Sequence, residues 1–128
     1  MNLDRRTMLL ASAALAVCPA AARAAAAVVK VDIPDDKSSF EPAEVRIKVG
    51  DTVEWTNHAL IEHTVTCDPA KAKSPKSVLL PAGAAKFDSG EFGTDQTWRH
   101  IFTAPGRYRY FCILHEDMGM IGEVVVEA

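Results

Sequence analysis

Val45-Arg-Ile-Lys-Val-Gly50-Asp-Thr-Val-Glu-Trp55-Thr56 alternates apolar with polar residues on both sides of a Gly50-Asp51 break. A period of two puts Val45, Ile47 and Val49 on one side of an extended chain, and Val53 and Trp55 on one side of the next. The same signature recurs outward in both directions. Val28–Ile33, His63–Thr66, Trp98–Phe102, Tyr108–Cys112 and Glu123–Glu127 are all short and rich in β-branched or aromatic residues. Gly90, Gly93 and Ala104-Pro105-Gly106 punctuate them. About seven strands in roughly 100 residues, with no sustained helical period, predict an all-β domain. Trp55 and Trp98 are expected in its core. The period does not by itself choose a Greek-key sandwich over a small barrel. Asp68–Ala85 is long and Lys/Pro-rich, and reads as an excursion at the rim with one helical turn.

The chain has 128 residues, 14 Lys+Arg against 17 Asp+Glu, and a formal net charge of −3. That length suits one domain, and the mild acidity argues against nucleic acid, which needs a basic face to neutralise phosphates. Residues 1–24 differ from the rest. A basic start, the apolar run Met8–Val17 and the small-residue ending Ala22-Arg23-Ala24 predict an export signal cleaved after Ala24. The apolar run is too short to span a bilayer, which takes about 20 residues. Arg5-Arg6 before Thr7-Met8-Leu9-Leu10 resembles a twin-arginine signal, although two arginines also simply fill a basic region. The expected mature chain, 25–128, would be a soluble domain in the oxidising periplasm.

Four soft or borderline donors stand out in that domain. Cys112, His115 and Met120 fall within nine residues, in a segment between two strands that is free to curl onto one point. His63 lies upstream. One thiolate, two imidazoles and a thioether make a blue-copper donor set, with the thiolate and histidines in a plane and methionine as a weak axial ligand. Zinc fits less well because thioether is not among its usual ligands, and three cysteines exclude an iron–sulfur cluster of four. Met118 offers an alternative axial donor at a shorter spacing. In an oxidising compartment Cys67 and Cys112 could instead pair as a disulfide. Read as a strand, however, His63–Cys67 puts Cys67 about 13 Å from His63, too far to share a metal.

At these residues the chain resembles the cupredoxins, most closely the plastocyanin, pseudoazurin and amicyanin group. The resemblance rests on the Cys112-x-x-His115-x-x-x-x-Met120 spacing and on Phe40-Glu-Pro through Trp55-Thr-Asn57 leading to His63-Thr-Val. Phe87-Asp-Ser-Gly90 and Ala104-Pro-Gly-Arg-Tyr108 extend it. Glu62 departs from the pattern, since the group often carries proline there. The resemblance implies a Greek-key β-sandwich of about seven or eight strands, one copper ion cycling between Cu(I) and Cu(II), and single-electron carriage. His63, Cys112, His115 and Met120 would be the ligands, and Met120-Ile-Gly122 before the last strand favours Met120 over Met118. Tyr108 would make a corner hydrogen bond.

The expected partners are redox proteins, such as a c-type cytochrome or a periplasmic oxidoreductase, that dock transiently on a monomer near His115. Leu60, Ile61, Ile113, Leu114 and Met118 would supply an apolar rim, and Glu62, Glu116 and Asp117 an acidic edge. No nucleophile–base arrangement, paired catalytic carboxylates or open metal position suggests an enzyme. Copper delivery or storage is the rival reading, and a metal-free or zinc-bound module on the same fold a further one. His100 is left as a surface or packing residue, and His58, close to His63, as at most a weak secondary metal contact.

Overall fold

The computed structural model describes residues 25–128. The export-signal reading of 1–24, including Arg5-Arg6, therefore falls outside the described residues. Eight strands form two sheets: β1 (Val28–Ile33), β2 (Glu44–Lys48), β3 (Thr52–Asn57), β4 (Thr66–Cys67), β5 (Phe87–Asp88), β6 (Thr97–Ile101), β7 (Gly106–Phe111) and β8 (Ile121–Glu127). One sheet has the order β1-β3-β6 and the other β2-β8-β7-β4-β5. The strands that flank Gly50-Asp51 part company at that turn. β2 runs parallel to β8, from Glu44↔Glu123 to Lys48↔Glu127, while β3 crosses to the other sheet and pairs parallel with β1. This is a Greek-key β-sandwich.

Alternation explains the closure. β2 and β8 bury every second residue, and Val45, Ile47, Val124 and Val126 face inward. Trp55 is fully buried, its Nε1–H donating to the Tyr110 hydroxyl at 3.0 Å, with the two rings edge to face at 5.3 Å. A buried indole removes on the order of 200 Å² from water, about 5 kcal/mol before ordering costs. Trp98 is only half-buried and packs on Trp55 at the core's edge. His100 beside it packs against Phe87, with ring centroids 4.2 Å apart and the rings tilted by 31°, and takes the packing role. The Tyr108 hydroxyl donates to Ala104 O at 2.7 Å, the corner bond expected of it.

Two expectations shift. The strand read at His63–Thr66 begins only at Thr66; His63 makes a single bridge with Phe92. The Asn57 amide is the reason. It accepts from Ala59 N–H and donates to Ile61 O and Phe92 O, which holds residues 58–62 in a turn. The excursion carries two short 3-10 turns, Pro69–Lys71 and Pro75–Ser77, capped by the side chains of Asp68 and Ser74. Among the described residues, no helix is long and apolar enough to cross a membrane.

Candidate metal centre

The stretch between β7 and β8 cannot remain a strand. After Cys112 the chain turns through Ile113–Met118, breaks at His115 (φ −131°, ψ 23°) and reverses at Gly119 (φ 74°), a left-handed conformation that suits glycine. Cys112 N–H donates to Met120 O at 3.1 Å and Met120 N–H to His115 O at 3.3 Å, so the loop closes on itself. Cys112 and His115 are thereby brought together on one side, and His63, held by its bridge to Phe92, faces them from the body of the sandwich.

Cys112 Sγ lies 3.4 Å from His115 Nδ1 and 3.8 Å from His63 Nδ1, and all three donor atoms are within 4.8 Å of one another. A first-row ion bonded to sulfur at about 2.3 Å and nitrogen at about 2.0 Å in a plane would separate them by about 3.7 Å. The two distances bracket that value, so the residues fit a metal. His63 points the same way. Burial first, then the neighbouring His115, push its imidazole down to about 4, leaving it neutral at physiological pH, the form that binds metals. Its Nε2, not the Nδ1 that faces Cys112, is the one buried side-chain polar atom among the described residues without a hydrogen-bond partner.

Met120 is fully buried where the loop closes, whereas Met118 is 67% exposed. The two methionines of the loop therefore differ in burial. Cys67 is not among the clustered donors. It is free and buried, its thiol meets the carbonyls of Leu79 and Arg109 at 3.4 Å, and burial, then Asp68, push it up to about 12. It forms no disulfide with Cys112, which is also free. His58 pairs with Asp32 at 3.0 Å, apart from the cluster.

Thr64 went unnoticed in the sequence. Its N–H donates to Cys112 Sγ at 3.3 Å, and its hydroxyl accepts from Ile113 N–H at 2.9 Å. The hydroxyl in turn meets the Thr66 hydroxyl, which donates to Asp88. Only its place beside His63 hinted at this, since the link needs the fold to bring residue 113 alongside residue 64.

The surroundings correct the acidic edge. Leu60, Ile61, Leu114 and Met118 are exposed, as an apolar rim requires, and Ile113 packs partly into the core. Glu116, however, is buried, accepting from the N–H groups of Lys73 and Ser74. Burial raises its carboxyl, but those amides and the Ser77 hydroxyl outweigh it and hold the group below the usual carboxylate range. Asp117 is spoken for by Lys73 Nζ at 3.0 Å. The acidic groups that do border the rim are Glu62, with Glu91 beside it, and Asp35 and Asp36. The last two line a cleft of about 510 Å³ together with Leu60, Ile61 and His63.

Residues 27–127 match the family described as copper binding proteins, plastocyanin/azurin family. The chain is 34% identical over 122 residues to a plastocyanin of Nostoc punctiforme, covering 94% of this chain and 88% of the relative. It is 34% identical over 127 residues to a chloroplastic plastocyanin of Tetradesmus obliquus, covering 96% and 82%. Among solved structures, the Cu(I) form of an amicyanin variant superimposes with a TM-score of 0.60 at 33% identity, over 84% of this chain and 89% of that one. The chain belongs to the plastocyanin/azurin family of copper-binding proteins, and a single copper ion is its cofactor.

Proposed function

We propose that the mature chain, exported to the periplasm after removal of residues 1–24, carries single electrons between larger redox proteins, with Cys112, His63, His115 and Met120 as its copper ligands. The observation that carries this reading is the convergence of Cys112 Sγ, His63 Nδ1 and His115 Nδ1 in one buried corner. Copper held there supplies a one-electron Cu(II)/Cu(I) couple. The chain's own residues do the rest. His63 and Cys112 are fully buried and tied to the sandwich, which limits their movement between oxidation states. His115 is half-buried, and its ring is the route from the surface to the centre. Leu60, Ile61, Leu114 and Met118 around it offer a dry contact of the small kind that brief electron-transfer encounters use. Asp35, Asp36, Glu62 and Glu91 beside the rim favour a partner with basic residues, such as a c-type cytochrome.

A voltammetric titration of the copper-loaded domain tests the proposal, followed by stopped-flow mixing with a c-type cytochrome. Expected are a reversible one-electron wave, and an exchange rate that falls as salt rises. Leu114→Asp is expected to slow exchange several-fold without changing the optical spectrum. A domain that binds only Cu(I), stays colourless and hands the metal to a chelator would overturn electron carriage in favour of copper delivery.

A further inference from the structure

Glu116 spends its charge inside the protein. It is the one buried side chain between His115 and Met120, although it sits at the tip of a loop whose other tip residues, Asp117, Met118 and Gly119, are exposed. Both carboxylate oxygens lie 3.0 Å from Lys73 N, and Oε2 lies 3.1 Å from Ser74 N. Residues 73 and 74 join the two 3-10 turns of the excursion, where neither amide has a turn carbonyl to bond. The excursion is itself pinned to the sandwich. Lys71 pairs with Asp88 at 2.6 Å, Arg109 Nη1 donates to Lys76 O at 3.0 Å, and Leu79 bridges Arg109. Glu116 thus ties the ligand loop to a strap that is already fixed.

The neighbour on its N-terminal side is His115, where the backbone breaks between two turns. His63 is held by the body of the sandwich, but His115 owes its place to the loop alone. With the backbone in that break, its imidazole Nδ1 lies 3.4 Å from Cys112 Sγ. We propose that Glu116 is a positioning residue of the copper site, gripping the Lys73 and Ser74 amides so that the turn at His115 stays set and its imidazole stays aimed at Cys112. The assignment rests on the ligand reading above. It gives the Lys/Pro-rich excursion a task beyond filling the rim: it is the anchor against which the ligand loop is braced. Outer-sphere partners of this kind generally matter to metal affinity by roughly 10- to 100-fold when removed.

The test compares the copper-loaded wild type with Glu116→Gln, Glu116→Ala and the control Glu123→Gln, whose carboxylate instead pairs with Arg107 and Arg109 on β7. Three readings are taken: the electron paramagnetic resonance spectrum of the Cu(II) form, the rate of copper loss to a chelator, and amide hydrogen exchange at Gly119 and Met120 without metal. Glu116→Ala is expected to alter the resonance spectrum, release copper roughly tenfold faster and speed exchange at both amides. Glu116→Gln, which keeps one acceptor oxygen, falls between, and decides the matter if the alanine variant does not fold. Glu123→Gln is expected to lower thermal stability alone. If the Glu116 variants keep the wild-type spectrum, copper-loss rate and exchange while only melting earlier, Glu116 is a structural residue and the proposal is overturned. A colourless wild type would instead overturn the ligand reading, and unchanged exchange in the metal-free variants would still refute the tie.

Discussion

Replacing Thr64 with Val removes one oxygen and keeps the shape of the side chain. That oxygen accepts from Ile113 N–H at 2.9 Å and links on to the Thr66 hydroxyl, which ends at the Asp88 carboxylate. In Thr64→Val the Ile113 amide is left without a partner in a partly buried site, while Thr66 keeps Asp88. A buried donor stripped of its acceptor costs about 1–3 kcal/mol. A value of about 2 kcal/mol corresponds to a fall in Tm of about 8–16 °C for a domain of this size. The backbone N–H that Thr64 donates to Cys112 Sγ is untouched, so the optical band is expected to stay near its wild-type position. Calorimetry of the metal-free protein is the assay, because bound copper would add its own stabilisation. Thr64→Ser retains the hydroxyl and is expected to lose less than half as much. If Thr64→Val melts within about 2 °C of wild type, well inside the span that one orphaned donor should produce, the hydroxyl relay contributes nothing and the reasoning is refuted. A serine variant that falls as far as valine would refute it equally.

Gly122→Ala is expected to be severe, since a Cβ there would sit 2.9 Å from Tyr110 Cε2 and closer still to Cζ and the hydroxyl. The hydroxyl is held by Trp55, so relief is costly; a loss of about 3 kcal/mol or more is expected, and urea unfolding at the wild-type midpoint would contradict it. Burial holds the His100 imidazole below its ordinary value, so the unfolded chain takes up a proton before the folded one does. Its contribution is present above about pH 6.5 and is lost as pH falls through the folded value; His100→Leu is expected to flatten the fall in Tm between pH 7 and 5, and an unchanged slope would exclude His100 as a source. Met118→Leu is expected to leave the spectrum and potential of the copper protein alone, whereas Met120→Leu shifts both, as their exposures imply. The opposite pattern would move the axial role to Met118.

Much of this was legible in the sequence because burial on one face of a strand writes itself as alternation. Val28–Ile33 is a strand over its predicted span, and the others shift by one or two residues, except at His63. There the determinant is the Asn57 side chain, whose bonds to residues 59, 61 and 92 no periodicity records. β5 is two residues long, too short for a pattern, although Phe87-Asp88 did stand out as a family feature. The metal corner was legible for a different reason: three donor types in nine residues are a local signal, and His63 closes the upstream family stretch that runs from Phe40 to Asn57. Glu116 was not. An acid in an exposed-looking loop reads as solvent-facing, and its burial depends on two main-chain amides more than 40 residues away. Thr64 escaped for the same reason, because its partners are a sulfur and an amide supplied by the far end of β7.

The central claim is that the Cys112 thiolate completes a copper centre in this domain. An optical spectrum of residues 25–128 loaded with Cu(II), recorded before and after ascorbate and again for Cys112→Ser, addresses it most directly. The account predicts an intense visible band in the wild type that bleaches on reduction and returns on oxidation, and no such band in Cys112→Ser. A colourless wild-type protein, or a band that survives the loss of the Cys112 sulfur, would contradict it.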